Sequence, residues 1–435
     1  MSVLGVIAEF NPFHNGHQYL LQKSKELTGA DFSIAVMGGH FLQRGEPAFW
    51  NKWVRTKMAI KSGFDLVIEL PYVFASQDAR GFAQAGVKIL NSLGVVDYIS
   101  FGCESEEIEI FSTLATLIRK NPPLFKKIIK EELKKGDSFP KIREKAIISF
   151  YQKYNHELVG MRVSLNEIRS ILRQPNNILA LEYMISLQQL KSSIKVLPIK
   201  RIGSSFSENK LEGRYSSATA IRNLISQYYF DSDNFQFLEE LKTTMPLSSY
   251  QIISDQLKED INPVLFSNFE QAIFNRLRSI PARDLKRING IQEGLENKFK
   301  KAVLLTGSIE ELISMTKSKR YTRTRIQRII IHSLFNLTRQ EVQTFNKNGP
   351  LYCRILGMSK KGRNILQKAK LNSKLPIVQQ LKRFYRHNSS LGNDVLLNML
   401  NYDILATDLY VLAYNRRDLR TGSQDFTRSM HILNL

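Results

Sequence analysis

His14 and His17, separated by Asn15-Gly16, are the residues of this chain whose type and spacing most clearly suggest chemistry. They lie between an apolar run, Val3–Ala8, and a stretch from Gly16 in which Tyr19, Leu20, Lys23 and Leu27 recur at helical spacing. Asn11-Pro12 breaks the strand between them. A strand-to-helix turn with a glycine lets a ligand approach the backbone, and the free N–H groups of the helix start favour an anion. Imidazole N–H groups there can donate to phosphate oxygens as charge builds in a transition state. Two other uses of the pair are capping the turn and binding a metal. A metal would want a third ligand, and Glu9 is the only nearby acid.

The elements that must hold this turn follow from hydrophobic pattern. Strands are expected at 3–8, 31–37, 65–70, 98–101 and 194–199, with helices near 53–62, 77–93, 107–119 and 176–190. Alternation of this kind implies an α/β fold with a parallel, Rossmann-like sheet and a ligand at the carboxyl ends of its strands. A helical insertion of mixed charge is expected at about 120–160. The composition then shifts near 228, so the expected division is an α/β domain at 1–228 that carries the histidine turn and a mostly helical basic domain at 229–435.

The chain has 435 residues and a formal net charge of +22. Between Ser314 and Gly392 there are 18 Lys and Arg against one acid, Glu341, so that segment alone carries 18 − 1 = +17. Such density suggests a polyanion partner, with nucleic acid preferred to membrane because the charges do not lie along one amphipathic helix. Two distant cysteines, Cys103 and Cys353, suggest no disulfide framework. The apolar start lacks a basic leader, and no apolar run is long enough to span a bilayer. A cytoplasmic protein with no membrane association is expected, and no obligate protein partner is inferred.

A second motif, Ser216-Ser217-Ala218-Thr219-Ala220-Ile221-Arg222, resembles the late Ser-Ser/Thr…Ile-Arg element of the nucleotidylyltransferase superfamily, to which the histidine turn is also similar. Further stretches narrow the resemblance. They are Ala8–His17, Met37–Ala48, Lys52–Ala59, Asp65–Pro71, Pro175–Leu179, Lys200–Gly203 and, later, Lys319–Ile326 and Ile355–Gly357. Together they resemble the bacterial tRNA(Met) cytidine acetate ligase family over most of the chain. Gly38 and Cys103 depart from the family's usual serines.

The resemblance implies an ATP-dependent ligase. Acetate and ATP would give acetyl-adenylate and pyrophosphate. The acetyl group would then pass to the wobble cytidine of elongator tRNA(Met), giving N4-acetylcytidine. Mg²⁺ is expected with the ATP, without a dedicated protein site. A nucleotidylyltransferase acting on a small phosphorylated substrate and a non-enzymatic RNA-binding protein are the rival readings. Both leave one half of the chain unexplained.

The residues sort by expected role. His14, His17, Arg201 and Arg222 are the catalytic candidates, and Lys23 is a weaker phosphate contact. ATP binding is expected from Ile7, Ala8, Glu9, Phe10, Asn11, Pro12, Phe13, His14, Asn15, Gly16, His17, Gln18, Tyr19 and Leu20, together with Gly102, Asn176, Asn177, Arg201, Ile202 and Ser217. Which of Asn176 and Asn177 meets the nucleotide is open. By resemblance, Gly39, His40, Gln43 and Arg44 are candidates for the acetate or cytidine pocket, with His40 equally readable as a core histidine. Lys319, Arg320, Arg323, Arg325, Arg328, Lys360, Lys361 and Arg363 are expected on tRNA.

Overall fold

Five short runs pair in parallel: β1 (Val3–Ala8), β2 (Phe32–Gly38), β3 (Leu66–Leu70), β4 (Tyr98–Cys103) and the edge strand β5 (Lys195–Lys200), in the order β5-β4-β1-β2-β3. The computed structural model describes residues 1–154, 164–203, 211, 213–230 and 236–433. Parallel strands are covered on both faces, and the period of two divides their side chains between two cores. Val3, Ile7, Ile34, Val36 and Ile68 face one, while Leu4, Val6, Ala35, Met37 and Val67 face the other. The order reverses between β1 and β4, and a sheet of this kind opens its ligand crevice at that switch point.

Helices fall within two residues of the expected ranges, at Lys52–Lys61, Ala79–Ser92, Ile108–Lys120 and Pro175–Gln189. The expected insertion is helical through Pro123–Leu133 and Phe139–Tyr154, and its residues 155–160 lie outside the described ones. So do residues 231–235, just beyond the expected boundary at 228.

The later half is mostly helical, yet it also returns to the sheet. β6 (Cys353–Ser359) pairs antiparallel with β3, and β7 (Ile377–Val378) and β8 (His431–Leu433) pair with β6. Buried ions secure this seam. Lys52 Nζ lies 2.8 Å from both Glu69 Oε1 and Asp425 Oδ1, and Arg354 Nη2 lies 2.6 Å from Asp425. Arg354 is therefore a core residue of the +17 segment and adds nothing to its surface. Arg320 and Arg323 of that segment pair with Glu293 and Glu310, acids outside it. The exposed excess is smaller than the sequence count. Among the described residues, no helix is long and apolar enough to cross a membrane.

Candidate active site

α1 (Asn15–Thr28) begins where β1 ends, with His14 at its N-cap. His14 Nδ1 accepts the Gly16 backbone N–H at 3.0 Å, and His17 Nδ1 accepts the His14 backbone N–H at 3.2 Å. This is a capping box in which both acceptors are imidazole nitrogens. A backbone N–H can only donate, so each Nδ1 is unprotonated and each neutral ring carries its hydrogen on Nε2. The rings lie side by side, centroids 3.9 Å apart. Burial and the neighbouring cations keep both neutral: His14 falls well below the usual value, with His17, Arg201 and Arg222 contributing, and His17 falls to about 3.

The turn is locked from several sides. Asn15 Nδ2 donates to the carbonyls of Arg214 and Thr243 at 3.0 and 2.8 Å. Asn11 Oδ1 accepts the Phe49 N–H at 2.8 Å, while the Asn11 carbonyl accepts from Arg222 Nη1 at 3.0 Å. Phe10 and Phe13 pack against His17. Ser217 Oγ accepts the Ala220 N–H at 3.0 Å, capping the helix Ala218–Phe230, whose first residues line the same cavity.

This cavity sits at the carboxyl ends of β1, β4 and β5. It is lined by the histidines and by Ala8, Gly102, Arg201, Ser217, Thr219 and Arg222, with Gln43, Arg44 and Glu46 closing one side. A Cβ on Gly102 would stand 3.3 Å from Arg201 Cγ, so the glycine leaves room above β4. The donor set of two imidazole N–H groups, two guanidinium groups and a helix start is what a polyphosphate needs. Among the described residues no group of three or more His, Cys, Asp or Glu side chains could hold a metal ion. Burial pushes the Cys103 thiol up to about 12.

Residues 1–425 match the family described as HIGH Nucleotidyl Transferase. The chain is 39% identical over 434 residues to the tRNA(Met) cytidine acetate ligase of Acetivibrio thermocellus, covering 100% of both. It is 42% identical over 420 residues to that of a Thermoanaerobacter species, covering 96% of this chain and 97% of the relative. The crystal structure of apo Thermotoga maritima TmcAL superposes with a TM-score of 0.92 at 36% identity, over 100% of both chains. That of the same protein bound with alpha-thio ATP gives 0.91 at 35%, also over 100% of both. The chain belongs to the tRNA(Met) cytidine acetate ligase family of HIGH nucleotidyl transferases.

Most of the expected ATP residues of this HIGH nucleotidyl transferase meet at one cavity. Ile7, Ala8, Glu9, Phe10, Asn11, His14, Gly16, His17, Tyr19, Leu20, Gly102, Asn176, Arg201, Ile202 and Ser217 all line it, and so does the catalytic candidate Arg222. Pro12, Phe13, Asn15 and Gln18 do not; Phe13 is wholly in the core, and Asn15 acts through the loop it ties. Lys23 lies on the surface, paired with Glu26 at 2.8 Å. Asn176 and Asn177 divide the labour. Asn176 lines the cavity, held by Glu104 at 2.6 Å, whereas buried Asn177 accepts the Glu104 and Ser105 N–H groups and braces the turn after β4.

Of the expected acetate or cytidine residues, Gln43 and Arg44 reach the cavity and Gly39 and His40 do not. His40 is 1% exposed, packed on Tyr410 and Trp53 and 3.2 Å from Thr407 Oγ1, beside the buried ions. The chain turns inward after β2, and only beyond His40 does it return to the cavity.

The basic candidates separate into two places. Gly45 has φ +76°, and a Cβ there would stand 2.2 Å from the Arg328 nitrogen, so the loop 42–46 lies directly on the helix Arg323–Leu334. Arg328 Nη1 donates to the Gln43 carbonyl at 3.0 Å. Arg325 stacks on Tyr321, 4.3 Å from the ring centroid. Arg328 thus meets the cavity wall and Arg323 lies in the field of Glu46, whereas Arg320 and Arg325 are held against Glu293 and Tyr321, with exposed Lys319 just before them. Lys360, Lys361 and Arg363 follow β6, which runs antiparallel to β3, and so they stand at the amino ends of the parallel strands, opposite the cavity. Glu46, which follows Gln43 and Arg44 in the expected acetate or cytidine stretch, also lines the cavity, whereas Glu104, Lys200, Tyr215 and Thr219 are site residues the sequence did not single out for roles. Their signal was proximity to the quoted motifs.

Proposed function

We propose that the chain activates acetate with ATP as acetyl-adenylate, releasing pyrophosphate, and transfers the acetyl group to the exocyclic amine of the wobble cytidine in elongator tRNA(Met), giving N4-acetylcytidine. The observation that carries this reading is the pair of neutral imidazoles with their Nε2–H groups free of the capping bonds, beside Arg201 and Arg222 at the switch point of the sheet. Adenylation is an in-line displacement at the α-phosphorus by the acetate carboxylate, and it needs donors aimed at developing phosphate charge more than it needs proton transfer. His14 and His17 supply those donors. Arg201 and Arg222 hold the phosphates, Asn176 and Ile202 take the nucleoside, and Gln43 and Arg44 are assigned to acetate or the incoming cytidine.

The mixed anhydride then reacts directly with RNA. Adenylation is assigned to residues 1–228 and tRNA binding chiefly to 229–435. The Lys319–Arg328 cluster is nearest to the cavity, and Lys360, Lys361 and Arg363 are assigned to a more distant part of the tRNA. Names borne by the relatives support tRNA(Met) as the substrate. The cytoplasm is the corresponding location. Incubation with ATP, labelled acetate and tRNA, followed by digestion to nucleosides, tests the reading. Labelled N4-acetylcytidine is the expected product; adenylated small molecules, or no product, overturn it.

A further inference from the structure

We propose that Glu9 is the general base of the acetyl-transfer step, taking the proton from the attacking amine as the acetyl group leaves AMP. The inference rests on the acetyl-transfer reading above. An exocyclic cytosine amine is a poor nucleophile because its lone pair is shared with the ring. When its nitrogen bonds to the acetyl carbon, the bond from that carbon to the phosphate oxygen breaks and AMP leaves with the electron pair. The nitrogen must lose one proton, and a positioned carboxylate is a suitable acceptor.

Elimination within the cavity leads to Glu9. The two histidines cannot accept, since each Nδ1 is occupied by a backbone N–H and each Nε2 already carries hydrogen. Arg44, Arg201, Arg222 and Lys200 are cations. Only Glu9 and Glu46 are carboxylates among the described lining residues, and Glu46 lies 3.7 Å from the Arg222 guanidinium. Glu9 stands at the end of β1, between the histidine turn and the loop 42–46. Its Oε1 accepts the Gln43 N–H at 2.9 Å, while its Oε2 takes no hydrogen bond from the described residues. One oxygen is used to orient the carboxylate and the other is left for chemistry.

The surroundings suit the role. Burial raises the Glu9 carboxyl above its usual value, against the Gln43 N–H and the charges of Arg44 and Arg222, with Glu46 adding to the rise. Tyr183, on the helix Pro175–Gln189, and Arg55, on Lys52–Lys61, also face it. A base with a raised value holds the transferred proton better than an ordinary carboxylate would.

Glu9→Gln keeps an oxygen for the Gln43 N–H and removes the base. The full-length variant would be compared with wild type in acetate-dependent ATP–pyrophosphate exchange, and in single-turnover transfer from supplied acetyl-adenylate to tRNA. Transfer is expected to fall at least about 100-fold more than exchange. The acid limb of the wild-type transfer profile is expected to vanish in Glu9→Gln and to persist in Glu9→Asp. Transfer that survives in Glu9→Gln, or equal loss of exchange and transfer in both variants, overturns the assignment. A wild-type enzyme that exchanges but never acetylates tRNA overturns the parent reading instead.

Discussion

His17 Nδ1 accepts the backbone N–H of His14 at 3.2 Å, so one imidazole of the pair fixes the backbone that carries the other. Capping uses Nδ1 of each ring and the proposed phosphate binding would use Nε2, which allows the two roles to be separated. Asparagine at either position places an acceptor near Nδ1 and has nothing at Nε2. His14→Asn and His17→Asn are therefore expected to keep the thermal midpoint close to wild type while ATP–pyrophosphate exchange falls about 100-fold or more. His14→Ala should lose the cap as well, at a cost of about 1 kcal/mol. An asparagine variant that retains wild-type exchange would show that the pair only caps the helix.

How much of this was legible in sequence depended on whether the signal was local. β1 to β5 are short apolar runs bounded by turn residues, and the histidine turn directly follows its strand, so pattern alone located them. β6 is equally apolar, Cys353–Ser359, but it returns to β3 from nearly three hundred residues away, and nothing local names its partner. His40 illustrates the converse. It follows β2 at the sheet's ligand edge, and only packing against Tyr410 from the distant C-terminal half decides that it faces the core. The choice between Asn176 and Asn177 turned on one step of helix rotation, which polar neighbours on both sides leave undetermined.

Arg325 and Arg328 lie one turn apart on the same helix, and they should fail differently. Charge reversal at Arg320, Arg323 and Arg325 is expected to weaken tRNA binding and to reduce the slope of log K against log salt by about 1 for each phosphate no longer neutralised. Exchange should survive. Arg328→Ala removes the donor to the Gln43 carbonyl, so it should depress exchange as well as tRNA acetylation. Filter binding at two salt concentrations, beside the exchange assay, distinguishes them. If the triple reversal abolished exchange too, the assignment of adenylation and tRNA binding to different residues would fail.

Lys52 joins β3, through Glu69, to the short helix Gln424–Thr427, through Asp425. Replacing it with methionine leaves Glu69 and Asp425 with Arg354 alone, at 3.2 and 2.6 Å. Breaking a buried ion group by removing one partner costs about 3–5 kcal/mol. Lys52→Met should lower stability on that scale in urea unfolding. The further change Glu69→Gln should cost less in the Lys52→Met background than in wild type. Additive losses in that cycle would show that the two residues do not stabilise each other.

Stability should also fall on mild acidification, because four histidines, three buried and His17 half-buried, are held neutral. Burial lowers His14 and His40 well below the usual value, His17 to about 3 and His332 to about 4. A group whose value is lowered in the folded chain binds its proton only on unfolding. Its contribution is whole above the unfolded value near 6.5 and is lost as pH falls toward the folded value. Two raised carboxylates act with the opposite sign: Asp403, pushed up to about 7 by burial and Glu69, and Glu9. Theirs is whole below the ordinary carboxylate range and is lost as pH rises. Four histidines outweigh two carboxylates between pH 7 and 5, so the unfolding free energy in urea is expected to decrease over that interval. His332→Asn should flatten the dependence by about one proton. A wild-type curve that is level, or that rises toward pH 5, would mean these histidines are protonated in the folded chain, and a neutral donor pair at the start of α1 would then be untenable.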